Sequence, residues 1–331
     1  MGAYIIAEAG VNHNGRLDLA KELCLAAKNA GADCVKFQTW QTEKIITRSV
    51  AQADYQADNT GHTESQFDML KRLELSYDDF RAVKAYCDKI GIQFASTADE
   101  ADSLDFLLTL GIPFIKIGSG EIGNIPYLRY MGSKKKPVLL STGMSSLADV
   151  ELSLEALRQG GAEDITLLHC TTSYPCPYDR VNLRAMDTLR AAFGLPVGYS
   201  DHTEGIAIPT AAAALGAVVI EKHFTLDRHM EGPDHLASTE PEAFRQMVSA
   251  IRQVEAGLGS GRKTPSPEER AISEVVLKRL VAARPIPAGT ILTADDLTVK
   301  RNDRGLSARY WDLVIGTPAR RDYAADDAIE L

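Results

Sequence analysis

The sequence predicts an α/β protein: a (β/α)8 TIM barrel over residues 1–260, a linker over 261–274 and a small β-rich module over 275–331. Three observations carry this reading. Eight short β-branched runs recur along the first 260 residues. Stretches with apolar residues at i, i+3 and i+4 separate them, several closing at a glycine, which is the pattern of amphipathic helices with glycine C-caps. Eight strand–helix units in about 260 residues also match the usual size of such a barrel. A doubly wound sheet would carry G-x-G-x-x-G after its first strand, where this chain reads EAGVNHNGRLD.

Taken in order, the strand candidates are YIIAEAG (4–10), CVKFQTW (34–40), IQFASTA (92–98), FIKIGSG (114–120), PVLLSTG (137–143), ITLLHCT (165–171), PVGYSD (196–201) and AVVIEKHF (217–224). Between them LDLAKELCLAAKNAGA, DDFRAVKAYCDKIG, LADVELSLEALRQGGA and PEAFRQMVSAIRQVEAGLG have helical spacing. The stretch GLGSGRKTPSPEERA (257–271) is rich in Gly, Pro, Ser and charge and reads as an extended, solvated linker. The module after it has short strand-like runs, LVAARPI and TILTADDLTVKR. It is small enough to need docking or dimerisation for stability.

Composition narrows the function. The 331 residues are 45% hydrophobic and 24% charged, as in ordinary globular proteins. A net charge of -9 argues against a nucleic-acid partner, although a local lysine cluster can still receive a small anion. No apolar stretch reaches the ~18 residues that span a bilayer, and the N-terminus lacks the pattern of an export signal, so no membrane partner is expected. Five cysteines without C-x-x-C spacing read as reduced and buried, hence cytoplasmic.

A parallel barrel carries its chemistry at the C-terminal ends of its strands. Those ends present Glu8 with Asn12 and His13, Lys36 with Gln38, Ser96, Lys116 with Ser119 and Glu121, and Ser141 with Thr142. They continue with His169, Thr171 and Thr172, then Ser200, Asp201 and His202, then Glu221, Lys222 and His223. Any one polar group there, Thr97 and Asp201 included, could cap the next helix. The concentration of ionisable groups exceeds what packing explains, because enclosed unpaired charges cost several kcal/mol each. His202 and His223 come from adjacent strands and suggest a divalent-metal pair, with Glu8, Glu221 or Asp234 as oxygen donors; mixed N/O ligands favour Mn²⁺ over structural zinc. Lys36 and Lys116 beside hydroxyls suggest a phosphate or carboxylate receptor, each cation adding roughly 4 kcal/mol at 4 Å before desolvation. A Schiff-base lysine fits the same residues. The run SKKKP (133–137) lies at the opposite end and reads as a solvated turn.

The segments IIAEAGVNHNG, AGADCVKFQTW, IKIGSGEIGNIP, LLSTGM, LHCTTSYPCPYDRVNLRAM, VGYSDHTEGI, EKHFTLD and EGPDHLAS closely resemble the sialic acid synthase family. The last 57 residues or so resemble its antifreeze-like (SAF) domain. The resemblance implies condensation of phosphoenolpyruvate with an N-acyl hexosamine, N-acetylmannosamine first, to give a nine-carbon 2-keto acid and phosphate. It implies phosphoenolpyruvate contacts at Lys36, Lys116, Ser119, Ser141 and Ser200, with Thr172 where some members have Asn. Glu121 matches the catalytic carboxylate, grouped with Glu8, His202 and His223; the two histidines would hold Mn²⁺, with Mg²⁺ or Co²⁺ as alternatives. Gln38, Tyr174 and Asp234 join the substrate contacts, and Arg301, or less well Arg304, matches a sugar-binding arginine supplied across a domain-swapped homodimer. The segment ADYQADNTGHTESQ (53–66), with CTTSYPCP, also resembles members that make legionaminic acid from a diacetamido-trideoxyhexose. Legionaminate and pseudaminate synthesis are therefore alternatives within the family, and a Schiff-base lyase or a carbohydrate- or ice-binding protein outside it.

Overall fold

In the strands that run through the centre of this protein, every second residue turns inward, and the inward set changes character two residues before the C-terminal end. On the inner face Ile6, Cys34, Ala95, Phe114, Leu139, Leu168 and Val219 form one apolar cluster. Two positions further along the same strands stand Glu8, Lys36, Thr97, Lys116, Ser141, Cys170 and Glu221, which line a cavity. Their neighbours of opposite parity, among them Ile5, Ala7, Val35, Phe37, Leu140 and Leu167, belong to the large core between strands and helices.

The computed structural model describes residues 2–48, 50 and 65–330. Of the stretch 53–66 that bears on the sugar acceptor, all but Ser65 and Gln66 lie outside the described residues. The strands β1 (Tyr4–Gly10), β2 (Cys34–Thr39), β3 (Gln93–Ala98), β4 (Ile115–Ile117), β5 (Val138–Ser141), β6 (Ile165–Cys170), β7 (Val197–Asp201) and β8 (Val219–His223) pair in parallel and in sequence order into a closed barrel. β4 is short because GSGE leaves the sheet as a 3-10 turn, Ser119–Glu121. Gly198 has no room for a Cβ, which would collide with the Leu168 side chain and with Val219.

The chain divides into two compact units, Met1–Gly259 and Ser260–Leu331. The second has its own core around Leu280, Ile286, Leu297, Val314, Tyr323 and Ile329, and an antiparallel pair, β9 (Lys278–Ala282) and β10 (Leu297–Arg301). The expectation of a wholly extended linker is corrected here, since Pro267–Val276 is a helix. The reason is a capping box: the Ser266 hydroxyl accepts from the Glu269 amide at 3.1 Å, and the Glu269 carboxylate accepts from the Ser266 amide at 2.8 Å. All five cysteines are free and buried. Among the described residues no helix is long and apolar enough to cross a membrane.

The helices Ile125–Ser133 and Leu147–Gly160 meet at two glycines. A Cβ on Gly132 would strike the Leu157 carbonyl, and one on Gly160 the Arg129 carbonyl. Gly160→Ala should therefore lose about 1–3 kcal/mol through overpacking. Gly257→Ala, in a helix with nothing within 4 Å of the added carbon, should be neutral or slightly stabilising. Urea unfolding midpoints of the two variants check this pair, and equal midpoints would refute the close-approach argument.

Candidate active site

The polar inner layer opens into a cavity of about 210 Å³ at the C-terminal end of the barrel. Four charged side chains form its floor, and none is more than 5% exposed: Glu8, Lys36, Lys116 and Glu221. Lys36 Nζ lies 2.5 Å from Glu8 Oε2 and 3.7 Å from Glu221 Oε2, and donates to Thr97 Oγ1 at 3.1 Å. Lys116 Nζ lies 3.4 Å from Glu221 Oε1 and donates to Ser141 Oγ at 2.9 Å. Ser200 Oγ donates to the same Glu221 oxygen at 2.9 Å. Glu221 is thus the carboxylate common to both lysines. Burial pushes its carboxyl up, but Lys116, Lys36 and Ser200 outweigh that and hold it at about 2. Glu8 goes the other way, because burial raises it to about 7 in spite of Lys36.

On one side of this floor stand two imidazoles with ring centres 5.4 Å apart. His202 Nδ1 contacts the Thr171 carbonyl at 2.8 Å, which puts its proton on that nitrogen and leaves the lone pair on Nε2. His223 Nδ1 is buried and has no hydrogen-bond partner among the described residues; it lies 4.0 Å from Asp234 Oδ2. The Tyr174 ring covers both, centred 4.1 Å from His202 and 5.7 Å from His223. Burial lowers both imidazoles, so they are neutral near pH 7. Two neutral rings, one with an orphaned buried nitrogen, fit a divalent ion whose remaining positions are open to water and substrate. Among the described residues no group of three or more His, Cys, Asp and Glu is assembled around one metal position.

An adjoining cavity of about 160 Å³ shares Gln38, Tyr174 and His223 with the first and is closed by Val11, Met69, Leu70, Leu73, Pro233 and Asp234. Burial raises the Asp234 carboxyl to about 6. A larger cavity of about 670 Å³ between the helices Leu147–Gly160 and Ala185–Phe193 is lined, among the described residues, by no carboxylate or ammonium.

Twelve residues singled out for chemistry in the sequence line the 210 Å³ cavity together: Glu8, Lys36, Gln38, Lys116, Ser119, Ser141, Thr172, Tyr174, Ser200, His202, Glu221 and His223. The Gly143 amide donates to Ser119 Oγ at 2.9 Å, and a Cβ at Gly143 would collide with Thr172 and Ser119, so a glycine is required between them. Asp234 faces the adjoining cavity. Glu121 sits in the 3-10 turn after β4, half-buried, accepting from Asn124 Nδ2 at 2.6 Å, with its carboxyl raised by burial. Arg301 ends β10 in the C-terminal unit and is exposed there, as is Arg304.

Other rim residues have different partners. Lys222 is paired with Asp201 rather than lining the cavity. Asn12 bonds Phe224 O and Ser238, His13 is buried against Phe37, and Ser96 bonds Thr39. Thr97, read as a cap, is instead a cavity residue bonded to Lys36. Its inward parity with Ala95 would have signalled this. Asp99 and Cys170 also line the cavity; the sequence marks Cys170 only as a reduced, buried thiol and does not single out Asp99. Glu221, one of three oxygen donors the sequence offers for an ion, lies against the two lysines.

A (β/α)8 barrel whose mouth holds two counter-charged ammonium groups beside two neutral imidazoles has the form of an enzyme acting on a small anionic substrate. Comparison with known proteins narrows the class, and the chain belongs to the NeuB family, whose model matches residues 23–263, with a SAF domain matching 279–330. It is 45% identical to the N,N'-diacetyllegionaminic acid synthase of Legionella pneumophila, over 96% of this chain and 90% of that one. It is 46% identical to the synthase of the same name from Campylobacter jejuni, over 98% of each. Among solved structures, the N-acetylneuraminic acid (sialic acid) synthetase of Leptospira borgpetersenii in complex with citrate superposes with a TM-score of 0.72 at 32% identity, covering 83% of this chain and 91% of that one.

Asp99 gives this site a testable pH dependence. Burial first, and Glu121 second, push its carboxyl up to about 7. A carboxyl raised on folding contributes stability that is fully present below the unfolded value near 4 and lost as pH rises through the folded value. Asp99→Asn should thus match wild type near pH 4 and exceed it by about 1 kcal/mol or more at pH 8. Denaturant titrations at the two pH values check this, and a difference independent of pH would contradict it.

Proposed function

We propose that this protein condenses phosphoenolpyruvate with a diacetamido-trideoxyhexose and water, releasing phosphate and giving N,N'-diacetyllegionaminate. N-acetylneuraminate was the first expectation from the motifs. The two relatives at 45% and 46% identity, both named diacetyllegionaminic acid synthases, favour the alternative acceptor. The apolar wall of Val11, Met69, Leu73 and Pro233 also suits a sugar methyl better than a hydroxymethyl. The observation that carries the reaction type is the lysine pair around Glu221, ringed by hydroxyls and set beside two neutral imidazoles.

In this reading Lys36 and Lys116, with Ser119, Ser141, Thr172 and Ser200, hold the carboxylate and phosphate of phosphoenolpyruvate and exclude water from its C3 face. C3 attacks the aldehyde carbon of the open-chain sugar, water adds at C2, and phosphate leaves. His202 and His223 hold a divalent ion, Mn²⁺ before Mg²⁺ or Co²⁺, which supplies Lewis-acid polarisation of the sugar aldehyde. Gln38, Tyr174 and Asp234 orient the sugar. Glu8, poised near pH 7, and Glu121 at the turn after β4 hold or move protons. Arg301 reaches the sugar from the partner in a domain-swapped homodimer, and residues 261–274 join the two domains.

Phosphate release from purified protein with phosphoenolpyruvate should be fastest with the diacetamido-trideoxyhexose and slower with N-acetylmannosamine, and chelation should abolish it until Mn²⁺ is returned. A preference of tenfold or more for N-acetylmannosamine would restore the first expectation. Mixing inactive Glu121→Ala with inactive Arg301→Ala chains, after dissociation and reassociation, should restore roughly a quarter of the sites if the module is exchanged. No recovery despite proven subunit exchange would exclude the swap.

A further inference from the structure

The mechanism leaves one buried charged pair unused. Lys222 and Asp201 are 2% and 1% exposed, and their side chains bond at 2.6 Å. They are register partners on β8 and β7. Glu221 and His223 face the cavity, so Lys222, between them on an alternating strand, points to the opposite side of the sheet. There its ammonium also donates to the Thr203 carbonyl at 2.6 Å. Asp201 Oδ1 accepts from the Thr203 amide at 3.0 Å, the Thr203 hydroxyl at 2.9 Å and the Tyr199 hydroxyl at 3.0 Å.

These bonds close around one residue. Asp201 and Thr203 flank His202, and both are tied to an ammonium whose own backbone immediately precedes His223. The backbone on either side of one imidazole is therefore fixed to the strand that carries the other. Pure packing needs no such arrangement, since a buried ion pair contributes little net stability over an apolar pair of the same volume.

We propose that the Lys222–Asp201 pair is a positioning unit that fixes His202 and His223 relative to each other for the divalent ion, a role that rests on the metal reading given above. Neither residue touches substrate or ion. Partners that orient metal-binding histidines from behind typically change metal affinity by about 10- to 100-fold when removed.

The test uses the full-length protein and Mn²⁺ alone, with free Mn²⁺ read by electron paramagnetic resonance. The double variant Lys222→Met/Asp201→Asn removes both charges together, so no lone buried charge remains. It should bind Mn²⁺ at least about tenfold more weakly, with phosphoenolpyruvate affinity within about twofold of wild type. Lys222→Arg, which can still bond Asp201 and the Thr203 carbonyl, should leave Mn²⁺ affinity at the wild-type value. Tyr199→Phe, which removes a single hydroxyl, should weaken Mn²⁺ about threefold and decides the matter if the double variant does not fold. Unchanged Mn²⁺ affinity in the folded double variant, or in Tyr199→Phe should the double variant be unfolded, would reduce the pair to a structural role and overturn the proposal. Wild-type protein that binds no Mn²⁺ would overturn the metal reading itself and the proposal with it.

Discussion

Two ammonium groups closed inside a barrel mouth need a counter-charge, and this requirement organises the site. Without one, each buried ion would cost several kcal/mol or lose its proton. Glu221 meets the need by lying within 4 Å of both Lys36 and Lys116, while Glu8 takes the second side of Lys36. The hydroxyls follow from the same constraint. Thr97 and Ser141 accept from the lysines, and Ser200 donates to the carboxylate, so these hydroxyls already fix the direction of the ionic groups. A preorganised field of this kind suits a dianion that must be held while one of its bonds breaks.

The depth of that field is set by strand parity. Inward positions run from an apolar floor to a polar layer two residues later, so the charges sit on packed side chains rather than on water. Outward positions on the same strands carry the helix-packing core, and at β7 and β8 they carry the Asp201–Lys222 pair. One pair of strands therefore presents Ser200, Glu221 and His223 to the cavity and a second ionic bond to the opposite side.

Much of this was legible in the sequence because barrel strands announce themselves as short apolar runs and place chemistry at one end. All eight strands fall within the runs that predict them, and the residues from Glu8 to His223 that suggested a receptor do share a cavity. Parity was the neglected signal: it separates Lys222 from Glu221 and His223, and it brings Thr97 into the cavity. Asp99 stands two residues beyond Thr97, just past the end of β3, and the same parity carries it to the cavity. The helix Pro267–Val276 hid in a composition that looks like linker, because a four-residue capping box outweighs average polarity. Glu221 could not be assigned between ion and lysines from spacing alone, since both partners lie on neighbouring strands.

The central claim is that Lys116 and Lys36 act as cations for a phosphate ester. It is tested most directly by titration calorimetry of phosphoenolpyruvate binding to Lys116→Met, with near-ultraviolet circular dichroism as the control for folding. The account predicts affinity at least about tenfold weaker than wild type, or about 1.4 kcal/mol, in a protein that remains folded. Unchanged affinity in the folded variant would contradict it, and a lysine adduct trapped by borohydride in the wild type would point to the Schiff-base alternative instead.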